Sequence, residues 1–181
     1  MVAILAVATA CSSSGDEEKS DGDAKISPST SAPGRSTPSA DPAEAAKGQA
    51  IATYQSYWRE MEKLYADRNG NTAALKRFAA SAALKSAEED AKSTHDKNLI
   101  HLGQVSIGNP TVTRLDTSGK IANATLSSCL DISRWQVVDA TTRKPATLPS
   151  NRLTKFVVAT TIEHWPEGWR VIRDEPQDKS C

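Results

Sequence analysis

The longest apolar run in this chain, residues 1–10, is about half of the roughly 20 residues a helix needs to cross a bilayer. No charge of one sign dominates either: 22 Lys and Arg balance 22 Asp and Glu over 181 residues. Residues 12–41 hold six acids and three bases, which leaves sixteen acids against nineteen bases in the remainder. That surplus is too thin and too scattered for nucleic acid, whose phosphates need a concentrated basic face. There is no Gly-rich phosphate loop, no nucleophile elbow, and no CxxC or HxxxH pattern, so no catalytic residue, metal or cofactor is expected. Of the three histidines, His95 and His101 lie six apart and share no helix face.

Cysteine is equally scarce, at three. With Cys11 set aside, Cys129 and Cys181 make an even set, and a disulfide between them would close a loop of about 50 residues. Two unrelated thiols are the alternative. Pairing presumes an oxidising compartment, and the amino terminus points to one. MVAILAVATA is a short apolar core that ends in small residues, the mark of a secretory signal. The run Val7-Ala8-Thr9-Ala10-Cys11 resembles the lipobox of bacterial lipoproteins. That resemblance implies cleavage before Cys11, lipidation of its thiol, and a membrane as a partner through the Cys11 anchor. A secreted chain without lipid is the alternative. Ala8 stands where lipoboxes favour leucine, and no basic residue precedes the apolar run.

Residues 11–41 have almost no large apolar side chains, Ile26 excepted, and cannot offset the entropy of ordering. They read as a disordered Ser/Pro/Asp-rich tether that would hold a domain on the order of 30 Å from the membrane. The folded part, 42–181, begins at a capping box: Asp41 as cap, Pro42 in the first turn and Glu44 three residues on. Ile51, Tyr54, Trp58, Met61 and Tyr65 follow at helical spacing, with Leu64 beside them, and Asn69-Gly70 is the expected stop. A second, short helix is expected through Leu75 and Phe78, and a third from about Ala82 to Leu102, ended by Gly103.

Beyond Gly103 the period drops to two. Strands are expected around Val105–Leu115, Lys120–Leu130, Trp135–Asp139, Leu153–Trp165 and Trp169–Arg173, with a bend at Gly108-Asn109-Pro110. The expected class is α+β: three helices, then an antiparallel meander of about five strands. Its order, with Tyr54-x-x-Tyr57-Trp58, Asp116-x-x-Gly119, Cys129-Leu130-Asp131-x-Ser133-x-Trp135, Gly168-Trp169-Arg170-Val171 and terminal Cys181, resembles the nuclear transport factor 2-like (ketosteroid-isomerase-like) superfamily. Within it the chain resembles secreted lipoproteins of actinobacteria. The resemblance implies a helical layer in the concavity of a bent, cone-like sheet, and homodimerisation as a recurrent habit.

The expected function is a non-catalytic envelope domain that binds a small apolar ligand or docks on an envelope protein. The candidate pocket-lining residues are Tyr54, Trp58, Asp131, Trp135 and Phe156, although core packing is the default for aromatics on such a stripe. A docking module would instead expose an apolar patch around Trp165 and Trp169. An isomerase or cyclase that uses a carboxylate in the cone is the alternative implied by the superfamily. Asp131 is the nearest acid, yet an Asp two residues after Cys129 more simply caps a corner through backbone amides.

Overall fold

The computed structural model describes residues 41–181; the expected signal segment, Cys11 and the expected tether up to residue 40 lie outside the described residues. The first helix, α1 (Pro42–Ala66), starts where the cap was expected, with the Asp41 carboxylate accepting from the Ala43 amide at 2.9 Å. The reciprocal half of the capping box does not form, because Glu44 pairs with Lys47 at 2.7 Å. Ala50, Tyr54, Tyr57, Trp58, Met61, Leu64 and Tyr65 are buried, so the apolar stripe is wider than the spacing of three and four suggested. The helix stops at Ala66, short of Asn69-Gly70: Asp67 turns extended and its carboxylate accepts from the Asn69 amide at 2.9 Å.

Two of the three expected helices survive. The short second one is a single 3-10 turn, Leu75–Arg77, too brief to bury more than Leu75. The third, α2 (Ser81–Asp96), ends at Asp96. Its expected continuation is instead a strand, β1 (Leu99–Gly103). Asn98 makes the break, adopting a left-handed conformation (φ 59°) while its side-chain amide donates to Asp139 at 2.9 Å.

Among the described residues the strands number six and form two antiparallel sheets, correcting the five-strand meander. β2 (Ser106–Asp116), β3 (Asn123–Asp131), β5 (Lys155–Trp165) and β6 (Gly168–Ser180) make one sheet in the order β2-β3-β5-β6. β4 (Trp135–Asp139) leaves that sheet and pairs with β1, from Leu99 opposite Asp139 to Gly103 opposite Trp135. A bulge interrupts β2 between Gly108 and Thr111, where the Gly-Asn-Pro bend was expected, and a second follows between Val112 and Arg114. The open edge of β6 is covered by the segment before α2: Val171 donates to the Phe78 carbonyl and receives the Ala80 amide, at 2.8 and 2.9 Å.

One face of the larger sheet carries Ala124, Leu126, Leu130, Val158, Ile162 and Val171, all at most 2% exposed. Both helices lay their apolar stripes on it, and the shared cluster is the core. The expected Cys129–Cys181 disulfide is present, with Cα atoms 5.8 Å apart. Since β5 lies between β3 and β6, the bond ties β3 to the residue just past the end of a strand that is not its neighbour.

Candidate functional site

Where α1, α2 and the core face of the sheet meet they leave a cavity of about 220 Å³. Helical spacing brings Tyr57, Trp58, Met61 and Tyr65 of α1 to its wall. Ser86, Ala87 and Asp90 of α2 form a second side, with Ser86 and Asp90 exposed at the rim. Trp135 enters from β4, and Leu130, Phe156 and Val158 from the larger sheet. Asp174 and Pro176 of β6 close the circuit.

Successive rings meet at steep angles. Tyr57 and Trp58 lie 5.7 Å apart at 76°, Trp58 and Trp135 6.0 Å apart at 84°, and Tyr65 and Trp135 5.1 Å apart at 66°. Edge-to-face contact is the favourable arrangement of ring quadrupoles, and it places rings as meeting walls rather than as a stack. His101 packs behind Trp135 at 4.3 Å and against Tyr65 at 5.0 Å. Burial there, with Arg152 and His95 adding to it, holds its pKa down at about 4, so the ring is neutral at physiological pH. The Trp58 and Trp135 indole N–H groups and His101 Nδ1 are buried with no hydrogen-bond partner among the described residues. Each such group costs on the order of 1–3 kcal/mol.

Asp174 is the chemically distinctive member. Thr160, fully buried, donates from Oγ1 to Asp174 Oδ1 at 2.7 Å. The carboxylate's exposed part lines this cavity and a smaller one beside it, between α2 and β6. Burial pushes its pKa up to about 7, against the pull of hydrogen bonding from Thr160 and of the neighbouring Tyr54 hydroxyl. The phenols of Tyr54, Tyr57 and Tyr65 are raised well above their ordinary value, mainly by burial, and stay neutral.

Of the five residues the sequence nominated, the structure brings Trp58, Trp135 and Phe156 together at the cavity. Tyr54 lies beneath it, fully buried, its hydroxyl accepting from Ser128 Oγ at 3.2 Å. Asp131 is outside it, capping the β3–β4 corner by accepting from the Ser133 amide at 3.0 Å. Those bonds with Ser133 hold its pKa below the ordinary carboxylate value. The expected patch at Trp165 and Trp169 is halved: Trp169 is buried and donates to Gln49 at 3.1 Å, leaving Trp165 near the surface beside Arg170.

Asp174 escaped sequence reading for a definite reason. Val171 lies opposite Ile162 and Arg173 opposite Thr161, so Ile172 is an extra residue in β6. The bulge shifts the alternation by one and turns Asp174, rather than Arg173, toward the face that carries Thr160 and Ile162. Strict alternation from Trp169 and Val171 would have placed Asp174 outside.

No protein-family model and no curated protein matches the chain. Among solved structures, the chain is similar to the crystal structure of the intermembrane space region of chloroplast protein ARC6, at 10% identity and a TM-score of 0.50. The likeness covers 75% of this chain and 97% of that one. At such identity it speaks to the fold alone.

Proposed function

We propose that this chain is an extracytoplasmic lipoprotein, anchored through Cys11, whose nuclear transport factor 2-like domain binds a small, largely apolar ligand in the cavity between its helices and its sheet. The observation that carries this reading is the cavity itself: aromatic walls from three separate elements, α1, β4 and β5, around the half-buried carboxylate of Asp174. Ligand sites are typically apolar hollows with a few placed polar groups. The disulfide supports a location outside the reducing cytosol. The ligand-binding reading is preferred to docking because Trp169, half of the expected docking patch, is used inside the fold.

Native mass spectrometry of the full chain, exported with its disulfide intact, tests the reading. A reproducible small-molecule adduct that disappears in Trp58→Phe is expected. A bare apo mass under gentle ionisation, from several expression hosts, would contradict it.

One observation favours a second reading, an isomerase- or cyclase-type enzyme. Asp174 combines a pKa of about 7 with a place in the cavity wall, and a general base works best near the ambient pH. Here Asp174→Asn would abolish turnover of the adducted compound while leaving its binding largely intact.

A further inference from the structure

The charge and ring geometry of the cavity say more about its occupant than the volume does. Among the described residues two carboxylates, Asp174 and Asp90, line it, and no Lys or Arg does. Arg173, the nearest candidate counter-ion on β6, borders the adjoining cavity, where it pairs with Glu175 at 3.5 Å. An anion would therefore meet two like charges and no partner. A purely apolar ligand would leave Asp174 desolvated and uncompensated.

We propose that the cavity takes a small organic cation, a quaternary or alkylated ammonium, surrounded by the rings of Tyr57, Trp58, Tyr65 and Trp135 with Asp174 and Asp90 as counter-charges. The inference rests on the ligand-binding reading and names its ligand class. Three ring pairs meeting at 66° to 84° enclose a space from several sides, as walls must if π faces are to solvate a cation whose alkyl groups cannot hydrogen-bond. The carboxylates divide the work. Asp174 sits on the inner wall, held by Thr160, and exposed Asp90 stands at the rim, where it draws a cation inward. At about 30 Å³ for each water-sized group, the cavity holds about seven of them, enough for an ammonium head and a short chain.

A set of probes with one shape and three charges tests this on the full chain. Choline, its uncharged carbon isostere neohexanol, and the anion of tert-butylacetic acid are titrated while tryptophan fluorescence and binding heat are followed. Choline is expected to bind about ten-fold tighter than neohexanol, with the anion weakest. Asp174→Asn should bring choline to within about two-fold of neohexanol, and Asp90→Asn, at an exposed position, should weaken it less, about two- to three-fold. Thermal unfolding of both variants checks that they are folded. Choline affinity should also fall as pH drops through about 7, where Asp174 takes up a proton. The other groups around it are Tyr54 and Tyr57 of α1, Asp90 of α2, Thr160 of β5, and Arg173 and Glu175 of β6. The two phenols remain neutral throughout that range. If neohexanol binds as well as choline, the cation class is overturned and the ligand-binding reading stands. If no probe binds at millimolar concentration, both fall. Choline binding that neither carboxylate variant weakens overturns the site.

Discussion

Thr160 Oγ1 donates to Asp174 Oδ1 at 2.7 Å, between facing residues of neighbouring strands β5 and β6. The bond fixes the inner of the two carboxylates that line the cavity, and it makes Asp174 a reporter of that environment. The group's folded pKa is about 7 against an ordinary 3.8, so the folded chain holds its proton more tightly than the unfolded chain. Its contribution to stability is therefore fully present below about pH 4 and is lost as pH rises through about 7. His101 works the other way: its pKa falls from 6.5 to about 4, so its contribution is present above 6.5 and lost as pH falls toward 4. The two oppose each other over the same window and should leave the wild-type profile shallow. Asp174→Asn is expected to expose the His101 slope, with stability rising from pH 4 to 6.5. The gain over wild type at pH 8 should be on the order of 3 kcal/mol. Urea unfolding at a series of pH values measures it; identical profiles for the two proteins would mean that Asp174 is solvated.

The disulfide offers a second test. The two cysteines are 52 residues apart in sequence, and the chain-entropy account gives about 4 kcal/mol for closing such a loop. Reduction, or Cys129→Ser, should lower the denaturation midpoint accordingly. The bond also anchors the end of β6, the strand that carries Asp174 and Pro176. Hydrogen exchange after reduction should accelerate first in residues 174–180, ahead of β3 and the rest of β5, and ligand affinity should fall with it.

Two glycines give opposite outcomes. Gly103, at φ +101°, closes β1 so tightly that an added Cβ would lie 1.9 Å from the Arg134 carbonyl oxygen. Gly103→Ala should cost more than about 2 kcal/mol and disturb Trp135, its partner in the β1–β4 pair. Gly48 lies within α1 with nothing within 4 Å of the same atom, and Gly48→Ala should stabilise by roughly 0.5–1 kcal/mol. Thermal melts of both variants decide the matter; a neutral Gly103→Ala would contradict the close approach.

Trp58 tests packing and site at once. It is 8% exposed, touches Tyr57 and Trp135, and lines the cavity. Trp58→Ala should cost about 3–5 kcal/mol. Trp58→Phe, which keeps a ring, should cost less while still losing affinity, since indole is the best of the π faces for a cation. Equal loss of affinity and stability in Trp58→Phe would reduce Trp58 to a packing residue.

Elements with an uninterrupted period were legible in the sequence, and departures from period were not. The α1 stripe, the alternation of β3 and β5, and the odd terminal cysteine each announce themselves locally. β1 does not: Leu99-Ile100-His101-Leu102 is too short and too apolar for its period to tell strand from helix, and the left-handed turn at Asn98 separates it from α2. The second sheet is a tertiary pairing between β1 and β4 that no local pattern encodes. The site divides in the same way. Trp58, Trp135 and Phe156 could be nominated from apolar faces, but Asp174 faces the cavity through the bulge at Ile172, set by its register against β5. Asp131 showed the reverse: its place two residues after Cys129 already read as a corner cap, and in the structure it accepts from the Ser133 amide.

The most direct test of ligand binding in the cavity is to follow the four indole N–H resonances of the full chain by NMR before and after stripping bound small molecules by unfolding and refolding. Binding in the cavity predicts that Trp58 and Trp135 shift on stripping and return when the extract is added back, while Trp165 and Trp169, outside the cavity lining, stay in place. Unmoved Trp58 and Trp135 signals, or changes confined to Trp165 on adding an envelope extract, would contradict a ligand-binding cavity and favour docking.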